Sequence, residues 1–260
     1  MIALNFGFGP LEHEFWRLMF AMTRIGAAML AAPFFGAGNV PPQVRVIATG
    51  AIAVLVCAWT PIAAPPAMLS LQGLMLVLGE VLVGLSLGFV LQLAFAAPVI
   101  GAEMIGGAMG MAMATSVDPH SGAHSPALGQ YFAVVLTLVF FASGGHLQWI
   151  ALVLESYRSF PPGETWVMAA RAPDIAAFGT QMLATAVAIA LPVTLVLLLV
   201  QILTGVLGRS APALNLFALG LPAGIVAGLA ALILSAPLFT DILSEVSAQA
   251  IAATKSIALR

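Results

Sequence analysis

The chain has 260 residues, of which 62% are hydrophobic and 7% are charged, and its net charge is −2. A soluble globular domain has roughly a quarter of its residues charged. The composition therefore excludes such a domain and predicts an all-α integral membrane protein. It also excludes a basic surface for nucleic acid, and the single cysteine excludes an internal disulfide or a cysteine metal site.

Six long apolar segments are predicted, because a helix needs about twenty residues to cross a bilayer. They are about Phe15–Ala32, Val46–Ala64, Leu71–Ile100, Ala127–Leu154, Gly179–Val206 and Leu214–Leu234. Arg17 and Arg24 interrupt the first segment, and Glu12 and Glu14 precede it, so the N-terminus does not resemble a cleavable signal peptide. The two arginines are seven residues apart and share one helix face.

The third segment is too long for an untilted span, and it carries a polar face. Glu80, Gly84, Gly88 and Gln92 follow one another at steps of four residues. A charge inside the membrane costs several kcal/mol unless it is paired or hydrated. We interpret Glu80 as the ion-pair partner of an arginine on a neighbouring helix or subunit, in preference to a proton or ion relay. Gly84 and Gly88 are predicted helix-packing positions.

A stretch rich in methionine and glycine, Gly101–Pro126, follows the third segment. Four methionines (Met104, Met109, Met111 and Met113) fall within ten residues and are interleaved with glycines. Thioethers are soft and glycine allows close approach, so the stretch has the composition of a deformable seal. On these residues alone, a helix-packing segment is the favoured interpretation.

The later segments carry breaks and small-residue faces. The fourth is interrupted at Ser143–His146, and Pro192 predicts a kink in the fifth. Gly220, Gly224 and Gly228 repeat at four-residue spacing in the sixth, which is typical of close helix packing in lipid. The fifth and sixth segments are joined by a short turn and should form an antiparallel hairpin.

One further helix is predicted after the sixth apolar segment. Thr240 is its expected N-cap, with Asp241 in the first turn. Apolar residues lie on one face, so the helix should be amphipathic and interfacial. They are Ile242, Val246, Ala250, Ala253 and Ile257.

Catalysis finds little support in the sequence. Ser121 and Ser125 lie beside His120 and His124, but all four share one loop, unlike an intramembrane serine protease. No phosphate loop, carboxylate pair or metal-ligand spacing is present, so neither a cofactor nor an enzymatic activity is predicted.

Five segments in order resemble the FliR family of flagellar export-gate proteins and its injectisome counterpart in type III secretion. They are Arg24–Arg45, Gly79–Phe95, Gly101–Pro119, Gly144–Trp149 and Gly208–Leu229. The resemblance implies a non-enzymatic subunit of the bacterial inner membrane and the flagellar basal body. One copy would assemble with FliP and FliQ around a pore, together with FlhB and other export-apparatus subunits, among membrane lipids. Unfolded flagellar proteins would be the cargo.

The resemblance also implies a division of the chain and a role for the Met/Gly stretch. Residues 1–178 would be a FliP-like portion that includes the plug loop 101–126. Residues 179–260 would be a FliQ-like hairpin plus the C-terminal amphipathic helix. The stretch would plug the closed pore, and its lack of aromatic residues suggests a soft gasket. The matching positions are Gly106, Gly107, Met109, Gly110, Met111, Met113, Val117 and Asp118.

The resemblance assigns the charged residues to packing, and two other functions stay open. Four residues are interpreted as intramembrane charge-pairing residues: Arg17, Arg24, Glu80 and Arg209.

The alternative functions are an injectisome subunit and a secondary transporter. The form Gly220–Pro222 favours the flagellar branch, and the sequence shows neither an inverted repeat nor a polar substrate cluster.

Overall fold

The computed structural model describes residues 10–36, 38, 40–62, 70–111, 127–163, 170–210 and 216–259. This part of the chain contains eight α-helices and no strand, which confirms the predicted all-α fold. The helices are α1 (Pro10–Ala31), α2 (Pro42–Trp59), α3 (Leu71–Ala108), α4 (Ala127–Ala142), α5 (Gly145–Ser159), α6 (Ala172–Ser210), α7 (Leu216–Leu234) and α8 (Ala236–Ala258). Met113, Val117 and Asp118, and the serines and histidines of 120–125, lie outside the described residues.

Six membrane spans were predicted, but fewer of the described helices are long and apolar enough to cross a membrane. Among the described residues, α2, α3 and α6 are long and apolar enough to cross a membrane. The number rises to five if α4 with α5, and α7 with α8, each count as one bent span. The predicted number of six is thus not confirmed, although the membrane character of the chain is.

Helix α3 is longer than the sequence indicated. It was expected to end near Ile100, but it continues through Pro98 to Ala108 and has 38 residues. The first part of the Met/Gly stretch is therefore helical, because its alanine, methionine and isoleucine residues favour a helix more strongly than two adjacent glycines oppose it. The helix stops where Gly110 adopts a φ of 82°, the left-handed conformation that commonly ends helices.

The predicted break in the fourth apolar segment is confirmed. Helix α4 ends at Ala142, and Gly144 has a left-handed φ of 73° before α5 starts at Gly145. A glycine in this conformation avoids the strain that a Cβ atom would add.

The C-terminal part requires one correction. Helix α8 starts at Ala236, so Thr240 is not its N-cap but lies in its second turn and donates a hydrogen bond to the Ala236 carbonyl. The helix starts earlier because Pro237 fits the first turn of a helix and Ser235 allows a 64° bend after α7. The expected amphipathic face is present, with Val246, Ala250 and Ile257 all buried.

The chain forms two compact units, each built from separated segments. The first unit comprises Met1–Leu93, Gly144–Gly179 and Ala248–Arg260, and the second comprises Ala94–Ser143 and Thr180–Ser247. These units are defined by spatial contact, whereas the predicted FliP-like and FliQ-like portions are defined by family likeness. That predicted division stays a prediction.

Candidate functional site

The end of α3, which lies in the second unit, contains the first residues of the Met/Gly stretch. The Met109 amide donates to the Ile105 carbonyl at 2.9 Å, and the Gly110 amide donates to the Gly107 carbonyl at 3.0 Å. These bonds satisfy carbonyls of the last helical turn, which otherwise lack intrahelical partners. The chain up to Gly110 is thus part of an ordered helix end.

A side chain of α6 completes this helix end. Gln201 Nε2 donates a hydrogen bond of 3.1 Å to the Ala108 carbonyl. In an apolar setting an unpaired carbonyl is costly, so this single amide stabilises the last turn of α3 against α6. The role of Gln201 as a capping residue for another helix was not predicted from the sequence.

Among the described residues of the predicted plug set, Met109 is the most closely held. It is 2% exposed and lies against the glycines of α7. A Cβ atom placed on Gly228 would lie 2.5 Å from Met109 Cγ and 2.8 Å from its sulfur. A Cβ on Gly224 would lie 3.4 Å from the Met109 carbonyl oxygen. The glycine stripe of α7 therefore receives Met109, a contact that the sequence analysis did not anticipate.

The other plug positions are less confined where the structure describes them. A Cβ atom on Gly106 would lie 3.8 Å from Leu128 Cδ1 and 4.0 Å from the Met111 sulfur. A Cβ atom on Gly107 or on Gly220 would have no heavy atom within 4 Å. Met111 and Gly110 are half-buried. Among these residues only Met109 is fully buried.

Gly101 brings α3 and α6 together at the start of the stretch. A Cβ atom there would lie 2.8 Å from the Ala186 carbonyl oxygen and about 3 Å from the Ile189 side chain. The backbones of the two helices thus approach closely at this glycine, as small residues allow in membrane proteins. Beyond it, a groove lined by Ala108, Leu191, Thr194, Leu195, Leu198 and Gln201 runs along α6.

Arg24 and Glu80 form a buried ion pair in the first unit. Both side chains have an exposure of 0%. Arg24 Nε donates to Glu80 Oε2 at 2.8 Å, and Nη2 donates to Oε1 at 3.1 Å, which is the bidentate geometry that a guanidinium favours. The structure therefore brings together two of the four charged residues singled out in the sequence.

The remaining donors of Arg24 bind the C-terminal end of α5. Nη1 donates to the carbonyl and hydroxyl of Ser156 at 2.8 and 3.2 Å, and Nη2 donates to the Phe160 carbonyl at 2.8 Å. All five N–H groups of the guanidinium are thus satisfied. The cation also suits the negative end of the helix dipole. One arginine joins α1, α3 and α5.

One aromatic residue packs against this ion pair, and a second joins α5 to α3. The Tyr157 ring lies 4.2 Å below the Arg24 guanidinium carbon, and its hydroxyl donates to the Ala21 carbonyl at 2.6 Å. Trp149 Nε1 donates to the Leu87 carbonyl at 3.3 Å. Sequence analysis missed these residues and Ser156. An aromatic residue in an apolar run gives no sign of whether its polar atom reaches another helix.

Gly84 and Gly88 lie where α1 crosses α3. A Cβ atom on Gly84 would overlap the Arg24 carbonyl oxygen, and one on Gly88 would lie 2.5 Å from the Ala28 carbonyl oxygen. Ala27 and Ala31 provide the small side chains on the opposite helix. The polar and small face of α3 therefore lies against α1, and Glu80 is one turn from these contacts.

The other two charged residues have different surroundings. Arg17 forms an ion pair with Glu14 at 3.1 Å within α1 and also donates to the Cys57 carbonyl of α2. Arg209 is exposed in the last turn of α6, and the structure gives it no ion pair among the described residues. The described residues hold no group of three histidine, cysteine or acidic side chains that suits a metal ion.

These features define an α-helical integral membrane protein with a fully satisfied ion pair in one unit and a methionine held by glycines in the other. The chain belongs to the bacterial export proteins, family 1, whose family model matches residues 15–250. The description of this family is that of export proteins. The predicted family resemblance is thus confirmed.

Relatives from distant bacteria match over most of their length. The flagellar biosynthetic protein FliR of Pectobacterium carotovorum is 31% identical over 215 residues, which cover 83% of this chain and 82% of the relative. FliR of Escherichia coli K12 is 30% identical over 240 residues, or 91% and 90% of the two chains. FliR of Aquifex aeolicus is 28% identical over 228 residues, which cover 88% of each.

Proposed function

We propose that this chain is a subunit of the flagellar protein-export gate and forms part of the pore wall and its plug. The observation that carries the proposal is the match to FliR proteins over about nine-tenths of the chain. The relatives carry flagellar names, which favours the flagellar branch over an injectisome.

The proposed setting is the inner membrane at the flagellar basal body. There one copy of the chain would assemble with FliP and FliQ, and FlhB and other export-apparatus subunits would contact the gate. Unfolded flagellar proteins would pass through the shared pore. Many large apolar side chains of α6 are exposed in the isolated chain, which supports contact with lipid or with neighbouring helices.

The plug is assigned to Gly106–Asp118. Its support is the arrangement of the helix end at the start of this range, where Met109 and Ala108 are tied to α7 and α6. A segment held at its base can close a pore without being a lipid-facing helix. Methionine side chains adapt to irregular gaps, and apolar constrictions exclude water by dewetting. Such a plug seals the closed pore and is displaced by cargo.

Deleting residues 106–118 tests the plug. We expect the complex to assemble but to leak, because the apolar constriction is lost while the packed helices are retained. Efflux of a small solute from cells should rise. It is normalised to the amount of assembled complex, which is measured by copurification of FliP and FliQ. A matched control is Gly107→Ala, which keeps the plug and adds a methyl group where no heavy atom lies within 4 Å. An assembled deletion complex with normal permeability would refute the plug.

A further inference from the structure

We propose that Gly228 and Gly224 of α7 form a seat for Met109 that fixes the base of the plug. This inference rests on the proposed function, because it names the contact that holds the proposed plug. It assigns a specific binding role to two glycines that the sequence marked only as packing residues.

The geometry of the seat is specific to glycine and methionine. The position that a Gly228 side chain would occupy lies 2.5 Å from Met109 Cγ and 2.8 Å from both Sδ and Cε. Contacts below 3.0 Å do not occur between real Cβ atoms and their neighbours, so Met109 fills the space that the glycine leaves. An unbranched thioether can enter such a narrow notch, whereas a β-branched side chain cannot.

Gly224 extends the seat to the backbone of the plug base. Its Cβ position lies 3.4 Å from the Met109 carbonyl oxygen, one helical turn away from Gly228. The two glycines thus contact the side chain and the main chain of the same residue. Gly220 continues the same spacing, but nothing lies within 4 Å of its Cβ position. The seat therefore occupies only part of the glycine stripe.

A second restraint acts on the residue before Met109. Gln201 holds the Ala108 carbonyl from α6 at 3.1 Å, so consecutive residues are tied to two different helices. Ala108 and Met109 therefore stay in place when the pore opens.

A matched pair of substitutions in α7 tests the seat in the assembled gate. Gly228→Ala places a methyl group against Met109, and Gly220→Ala adds the same group where there is space. We expect small-solute efflux to rise roughly tenfold for Gly228→Ala, since overpacking shifts the population of the seated state. Gly220→Ala should behave as wild type. A Gly228→Ala gate that assembles and seals normally would overturn the seat.

A double substitution tests whether Met109 is the residue concerned. Met109→Ala empties the seat, so the added methyl of Gly228→Ala no longer has a side chain to displace. The two substitutions together should leak no more than the leakier single variant, because residues in contact are not additive. Leak rates that add independently would contradict a shared contact.

A disulfide provides a readout that does not depend on the leak. Met109→Cys and Gly228→Cys, combined with Cys57→Ser, place two thiols at positions close enough for a disulfide. Oxidation should cross-link them, and export of flagellar subunits should continue because the seated part does not move. If the two cysteines do not cross-link, Met109 is not seated on Gly228. If export stops on oxidation and returns on reduction, the base of the plug moves during export and is not fixed. If the 106–118 deletion does not leak, the plug fails while the cross-link still reports on the seat.

Discussion

At the scale of single residues, Arg24 is the group with the most polar contacts in the described structure. Its five donors bind Glu80, Ser156 and Phe160, and no donor is left unsatisfied. A buried ion pair adds little net stability over an apolar core, but loss of one partner leaves the other charge buried. Its value for this fold is that it fixes three helices in one arrangement.

Substitution of Glu80 by glutamine should destabilise the protein while leaving export by each assembled complex unchanged. The change leaves the Arg24 charge without its carboxylate, which costs roughly 3–5 kcal/mol. Thermal unfolding in detergent and export normalised to assembled complex are the two measurements. Glu155→Gln is a matched control, since the Arg158–Glu155 pair is exposed and worth about 0–1 kcal/mol.

The Glu80 experiment also separates packing from a relay. A proton or ion relay requires the carboxyl group itself, so Glu80→Gln would abolish export even in fully assembled complexes. If assembled Glu80→Gln gates do not export under conditions where the variant remains folded, the packing role of Glu80 is wrong.

At the scale of helices, the contact of α1 with α3 depends on two glycines. Gly84→Ala and Gly88→Ala would each press a methyl group against a backbone carbonyl of α1, which cannot move as a flexible side chain can. Each should cost roughly 1–3 kcal/mol by overpacking. Thermal unfolding of the purified chain should show this loss.

A third glycine provides the control for that experiment. A Cβ on Gly26 of α1 would lie 3.6 Å from Thr49 Cγ2, which is ordinary van der Waals contact. Gly26→Ala should therefore be neutral or slightly stabilising, since alanine is the better helix former. Equal destabilisation by Gly26→Ala and Gly88→Ala would show that close approach to α1 is not the reason.

More of the helices of this protein than of the contacts between them could be predicted from the sequence. The length of the apolar segments predicted the helices, and Gly144 predicted the break between α4 and α5. Both signals are properties of short segments of sequence. The extension of α3 to Ala108 was missed, because glycine density obscured a helix that its neighbours stabilise. The bounds of a helix can be predicted from such local signals only where the signals agree with one another.

The candidate site could be predicted from the sequence only in part, for a related reason. A charge such as Glu80 inside an apolar run must have a partner, so a pairing with some arginine was predictable. The identity of that arginine was not, because Arg24 is 56 residues away in the sequence. The Ser156 and Phe160 carbonyls and the seat of Met109 are backbone and shape features that residue types do not encode.

At the scale of the whole molecule, the long apolar surface of α6 is the main feature that the described residues leave uncovered. From Leu195 to Leu207 most large side chains are exposed, and Leu203 is 62% exposed. Such a surface in water would aggregate, so lipid or another subunit must cover it. The proposed assembly with FliP and FliQ predicts that at least its C-terminal end contacts a neighbouring subunit.

A photo-cross-linking amino acid at position 203 distinguishes these two coverings. In assembled gates we expect cross-links from this position to FliQ or FliP, because a helix packed against another subunit holds it within reach of the reactive group. The same amino acid at Leu197, which is buried within the chain, should give only internal cross-links. Cross-linking at position 203 that yields only lipid adducts would mean that this end of α6 faces the bilayer, and the partner interface would then lie elsewhere on the chain.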